Sequence, residues 1–240
     1  MSGTGQRAVE VEWVGEIGVI WLNRPAALNA VNGALIEGLV DALRTIRERP
    51  AAAVVLAGRG RSFCAGHDLK APPVPPDELA SRLVRLQEIT RLIRLLPVPV
   101  VAAVQGYAVG AGAEFALGCD LVLAADDAVF RFPEVELGLS VTGGATRLLA
   151  LLVGPLKAKE LLLLGEPVTA AQAVGLGLVN RTVPAHELLD AALAWAGKLA
   201  MLPRLSLALA KKALDAGIDS TVEAALEQEI SDALESQRHG

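Results

Sequence analysis

Pro99-Val100-Val101-Ala102-Ala103-Val104-Gln105-Gly106-Tyr107-Ala108-Val109-Gly110-Ala111-Gly112-Ala113-Glu114 decides the fold of this chain. Val98–Val104 is an unbroken apolar run, the pattern of a strand buried on both faces. Gln105 and Gly106 interrupt it, and small residues then lead into a helix expected over 105–118 that carries Glu114.

Upstream, the pattern predicts strands at Val9–Trp13 and Ile17–Leu22 around a Gly15-Glu16 turn. Asn32 can cap a helix over 33–48 with Leu35, Leu39, Leu43 and Ile46 on one face, ended by Pro50. Ala53–Ala57 reads as a buried strand. A loop over 58–76 leads to an amphipathic helix from Asp77 to Leu96, with apolar Leu79, Leu83, Leu86, Ile89, Ile93 and Leu96. Downstream strands are expected near 120–124 and 128–130. Strands alternating with helices argue an α/β fold.

Past Gly154 the chain changes character. Helices are expected at Pro155–Leu164, Ala170–Gly175, Ala185–Ala200, Arg204–Ala216 and Thr221–Glu235, with one strand at Leu178–Thr182. We therefore divide the chain into a core over 1–154 and a helical region over 155–240. Pro155 suits a first helical turn, where its missing N–H costs nothing. No fixed-period repeat, low-complexity tract or linker is visible.

The 240 residues are 52% hydrophobic and 20% charged, enough for a well-buried core. Aromatics are only 3%, so Ala, Leu and Val must build that core. A net charge of −5 without a basic run argues against nucleic acid as a partner. Cys64 and Cys119 lie far apart among apolar neighbours, as reduced thiols of a cytosolic protein do. No charged-then-apolar leader opens the chain, and the apolar region Leu95–Ala113 is broken by Pro97, Pro99 and glycines. It reads as strand, turn and helix start rather than a membrane span.

Glycine-rich turns at Gly66-His67-Asp68 and Gly110-Ala111-Gly112 can aim backbone N–H groups at an anion, and the second adds a helix N-terminus. Together they can form an oxyanion hole, where losing one donor typically costs about 2.7–4 kcal/mol of transition-state stabilisation. Each turn alone is a weak signal and reads first as tight packing of strand on helix. Glu114 sits among Ala111, Ala113, Phe115, Ala116 and Leu117, a costly setting for a carboxylate unless it is used or paired with an arginine. Glu134, after Phe132-Pro133, is either a second functional carboxylate or an exposed first-turn residue. His67, His186 and His239 have no metal-ligand spacing, so no metal is expected.

Taken in order, these motifs resemble the enoyl-CoA hydratase/isomerase (crotonase) superfamily over nearly the whole chain. The resemblance rests on Arg24-Pro25 with Ala27-Leu28-Asn29-Ala30, Phe63-Cys64-Ala65-Gly66-His67-Asp68-Leu69 and Pro99–Ala108. It continues through Gly118-Cys119-Asp120, Phe132-Pro133-Glu134, Leu137-Gly138-Leu139 and Gly175-Leu176-Gly177-Leu178-Val179. It implies a spiral of ββα units with a helical C-terminal region and a homo-oligomer (trimer or dimer of trimers); the cysteine pattern adds the expectation of a cytoplasmic location.

By the same resemblance the oxyanion donors are the N–H groups of His67 and Ala111, the His67 side chain being a bystander. The hydratases' carboxylate pair falls on Glu114 and Glu134. Coenzyme A, as part of the substrate and not a separate cofactor, would run along Leu28, Asn29, Ala30, Ala65, Gly66, Asp68 and Leu69, with Arg24 a phosphate contact or a solvated charge. Lys211 and Lys212 read as a polar helix face. The activity implied is hydration of a 2-enoyl-CoA. Double-bond isomerisation, C–C cleavage and decarboxylation through the same enolate are the alternatives, and a non-catalytic CoA-binding homologue is a further one.

The sequence departs from the family pattern in three places. The loop Gly138-Leu139-Ser140-Val141-Thr142-Gly143-Gly144-Ala145 lacks the usual proline. Arg131 beside Phe132 is bulkier than usual, pointing outward or pairing with a carboxylate and altering Glu134. Relatives also continue with a helical tail beyond the position of Gly240.

Overall fold

Apolar residues alternate along the first strands, and this alternation sorts them onto the two faces of one sheet. The computed structural model describes residues 7–49, 51–217 and 220–238. The first half runs β1 (Val9–Val14), β2 (Ile17–Leu22), α1 (Gly33–Glu48), β3 (Ala53–Gly58), α2 (Pro76–Leu95), β4 (Val100–Val104), β5 (Tyr107–Val109), α3 (Ala111–Gly118), β6 (Leu121–Ala125) and β7 (Val129–Arg131). The second half adds α4 (Ala145–Val153), α5 (Pro155–Leu164), β8 (Val168–Thr169), α6 (Ala170–Gly175), β9 (Arg181–Val183), α7 (Leu188–Ala200), α8 (Arg204–Gly217) and α9 (Val222–Arg238).

The main sheet has the order β1-β2-β3-β4-β6-β9, and a smaller one the order β5-β7-β8. Only the β1–β2 hairpin of the main sheet is antiparallel. Parallel bridges Cys64↔Ala108 and Val31↔His67 extend the smaller sheet toward the front of the chain. Each turn thus lays a strand in the main sheet, an extended segment in the second layer, and usually a helix. This is the expected spiral of ββα units.

Ile20, Leu22, Val54, Leu56, Val100 and Ala102 pack on one face with Leu35, Leu39, Leu43 and Ile46 of α1. Val19, Trp21, Val55, Val101 and Leu123 point the other way, onto Leu188, Ala192 and Ala196 of α7. The Asn32 side chain accepts the Leu35 N–H at 3.0 Å, which caps α1 where the sequence places its start. Pro50, expected to end that helix, lies outside the described residues, as does His239.

Several elements differ from expectation. β5, β8 and α4 were not anticipated. The strand expected at Leu178–Thr182 is Arg181–Val183, because the Leu178 and Val179 N–H groups instead close the end of α6 on the Ala173 carbonyl. In α2, Ile89 and Ile93 are buried but Leu79 and Leu83 face solvent, because the packing covers only the later turns. The sheets cross Gly154: β8 and β9 come from beyond it, and α7 covers the main sheet. Among the described residues no single helix is long and apolar enough to cross a membrane; α7 and α8 reach that only around a 108° bend.

Lys211 is not part of a polar surface. It is 8% exposed, and its Nζ donates to the Ile93 carbonyl (2.8 Å), the Val98 carbonyl (3.1 Å) and Asp120 Oδ2 (2.7 Å). All three ammonium donors are used, and Asp120 also accepts the Val100 N–H at 2.7 Å. The clasp ties α8 to the end of α2 and the start of β4. Removing one partner strands the other. Lys211→Met should therefore lower unfolding free energy by about 3 kcal/mol in urea titration; an unchanged midpoint would contradict this reading of the clasp.

Candidate active site

The site forms where the second layer brings two loops together. The Cys64 N–H donates to the Tyr107 carbonyl (2.9 Å), and the Val109 N–H donates to the Cys64 carbonyl (3.0 Å). The backbones then approach so closely that a Cβ on Gly66 would lie 2.6 Å from the Val109 carbonyl oxygen. One on Gly112 would lie 2.3 Å from that of Cys64. Only glycine fits at such approaches.

This contact places two amides. Val31 takes its bridge bonds from the neighbours of His67: the Val31 N–H donates to the Gly66 carbonyl (2.7 Å), and the Asp68 N–H donates to the Val31 carbonyl (3.0 Å). In a parallel bridge of this kind the His67 N–H turns away from Val31. The Ala111 N–H is the first of α3, one of the donors a helix leaves without an internal acceptor. Among the described residues neither amide donates to a protein acceptor.

Both glutamates face this junction. Glu114 is 1% exposed and Glu134 7%. A Cβ on Gly110 would lie 2.9 Å from Oε1 of Glu134. The Thr142 N–H donates to Oε1 of Glu114 (2.8 Å), and its hydroxyl donates to Oε2 (2.7 Å). Glu134 is held differently: among the described residues its buried Oε2 has no partner.

Burial raises both carboxyls above the ordinary range. The Thr142 bonds pull Glu114 back toward ionisation, while the charge of Glu134 pushes it up. Glu134 has only its own backbone N–H to oppose burial. Two buried carboxyls with unequal donors can serve as an acid–base pair. Thr142 had no signal in the sequence beyond the missing proline.

Residues 12–239 match the family model described as enoyl-CoA hydratase/isomerase. The chain belongs to this family. It is 40% identical to the 2,3-dehydroadipyl-CoA hydratase of Escherichia coli over 214 residues, covering 88% of this chain and 83% of the relative. It is 36% identical to the crotonyl-CoA hydratase of Syntrophomonas wolfei, covering 88% of this chain and 82% of the relative. A solved enoyl-CoA hydratase from Bacillus anthracis superposes with a TM-score of 0.90 at 32% identity, over 94% of this chain and 89% of that one. A monofunctional enoyl-CoA isomerase from Mycobacterium smegmatis gives 0.80 at 31% identity, over 92% and 99%. The chain is thus an enzyme of the enoyl-CoA hydratase/isomerase family.

The segments expected from the sequence to carry CoA converge here. The Ala65 N–H donates to the Leu28 carbonyl at 3.0 Å, and Arg24 pairs with Asp68 at 2.9 Å while also donating to the Ala30 carbonyl. Arg24 is therefore no solvated charge; it clamps the two loops, and its bond holds the Asp68 carboxyl below the ordinary range. Leu28 and Asn29 both adopt left-handed backbone angles, at φ 52° and 56°. The buried Asn29 amide holds the turn by donating to the Arg59 (2.9 Å) and Ser62 (2.8 Å) carbonyls. Leu69 is exposed and Leu28 half-buried. Arg131 points away from Glu134: its Nε donates to the Gly165 carbonyl (2.6 Å) and Nη2 to Glu136 (2.5 Å).

Burying these carboxyls costs stability. A folded pKa raised above the unfolded value means the native state binds more protons between the two, so stability falls as pH rises through that window. The loss persists above it. Glu134→Gln removes the charge and should raise the urea midpoint at pH 7 relative to wild type. The gain should vanish near pH ~4, where the unfolded carboxyl itself protonates. A variant less stable than wild type at pH 7 would show that Glu134 is stabilising and refute this.

Proposed function

We propose that this enzyme adds water across the double bond of a 2-enoyl-CoA, giving a 3-hydroxyacyl-CoA. The observation that carries the proposal is the buried pair Glu114 and Glu134 beside two free backbone donors. The thioester oxygen would accept from the His67 and Ala111 N–H groups, which stabilise charge as it develops toward the enolate. Glu114, its oxygens fixed by Thr142, would orient a water and take its proton as the C3–O bond forms. Glu134, the carboxyl less supported by donors, would deliver a proton to C2. One H–OH adds across C2=C3, with both additions on the face the carboxyls occupy. Leu28, Asn29, Ala30, Ala65, Gly66, Asp68 and Leu69 would carry the CoA moiety.

Double-bond isomerisation is the second reading, favoured by the likeness to the mycobacterial isomerase. It needs one carboxylate to move a proton between carbons, which leaves Glu114 without a task. Glu114→Ala separates the readings. Loss of hydration of crotonyl-CoA by ~10²-fold or more supports hydration. Undiminished turnover of that variant removes Glu114 from the mechanism. Thr142→Val deletes a donor that favours the charged form of Glu114. The acid limb of kcat/KM should move to higher pH, and an unmoved limb would show that Glu114 is not the titrating base.

We read the protein also as a homo-oligomer working in the cytoplasm. Support for self-association comes from Leu226, Ile230 and Leu234, which make an exposed apolar stripe at helical spacing on α9.

A further inference from the structure

Arg82 lies on the second turn of α2 and is half-buried. Among the described residues its buried Nη2 has no hydrogen-bond partner. Two other arginines of α2 are committed: Arg85 grips Glu37 through Nε (3.1 Å) and Nη2 (2.5 Å), and Arg94 pairs with Asp215 at 2.9 Å. A guanidinium nitrogen taken from water without an acceptor is costly, and a carboxylate is the acceptor its fork geometry fits.

The setting supplies room for one. Arg82 lines a cavity of about 480 Å³ between the start of α1, the proline-rich segment 71–75 and α2. Of the cavity's glutamates, Glu37 is taken by Arg85, and Glu78 is exposed and unpaired with Arg82 among the described residues. Segment 71–75 is the direct continuation of the His67-Asp68 loop. Arg82 also lies close enough to act on His67, whose imidazole is held below its ordinary range first by burial and then by the Arg82 charge.

We infer that Arg82 anchors an anionic group at the far end of the acyl chain, so that the thioesters this site takes best carry a terminal carboxylate. The inference rests on the acyl-CoA reading above and deepens it. This anchor requires a chain whose thioester oxygen sits at the His67 amide to run past the proline segment into this cavity. A CoA phosphate offers the same anionic chemistry, and the test separates the two sources.

Dissociation constants of saturated thioesters decide the matter: adipyl- and suberyl-CoA against hexanoyl- and octanoyl-CoA, with free CoA alongside. Wild type should favour the carboxylate-bearing partner of each pair. Arg82→Gln should weaken that partner roughly ten- to hundredfold while leaving the neutral thioesters and CoA unchanged, and Arg82→Lys should retain part of the preference. Equal affinities in wild type, or a parallel loss on every ligand including free CoA, would overturn the anchor and move Arg82 to the CoA phosphates or the fold. The saturated ligands are not hydrated, so the preference is read independently of turnover. Discrimination without hydration of any 2-enoyl-CoA would sink the proposed activity and leave the anchor standing.

Discussion

Everything in the site depends on how closely two backbones approach. Gly66 and Gly112 press against the carbonyls of Val109 and Cys64 at distances no side chain tolerates. That contact is the second layer of the spiral drawn to its narrowest point. It brings the His67 loop against the residues that lead into α3, while the bridge to Val31 leaves the His67 amide facing away from that strand. The main sheet makes the approach rigid, because β3 and β4, which feed these loops, are paired in parallel and buried on both faces.

Around this fixed point the protein spends stability. Glu114 and Glu134 are buried where ionisation is unfavourable, and among the described residues one oxygen of Glu134 has no partner. Such cost marks functional sites more often than structural ones. Stability is recovered in clasps that are fully satisfied. Lys211 uses all its donors on Asp120 and two carbonyls. Asn29 and Arg24 lock a strained left-handed turn onto the loop that carries His67.

What was legible in the sequence follows from the range of the signal. α1 and β2 were readable to the residue, because a capping asparagine and clean periodicity are local. Glu114 stands out as a carboxylate among apolar residues, whereas the glycine turns and Glu134 gain their reading only from the family resemblance. β5 and β8 are too short to show a period. α4 begins after Gly144 with no side-chain cap, so its start looked like more loop. Lys211 finds its partners more than ninety residues away, and nothing near it in sequence announces burial. Thr142 reads in the sequence only as the place of a missing proline; its two bonds to Glu114 exist because the loop folds back over α3. Arg82 likewise gained meaning only when its neighbours were found to be already paired.

The central claim is that two buried carboxyls place one water on an enoyl thioester. Mass spectrometry of crotonyl-CoA incubated with the enzyme in water enriched in heavy oxygen tests it most directly. The account predicts a product heavier by one water, with the heavy oxygen on C3. A thioester of unchanged mass, with no oxygen incorporated, would contradict it.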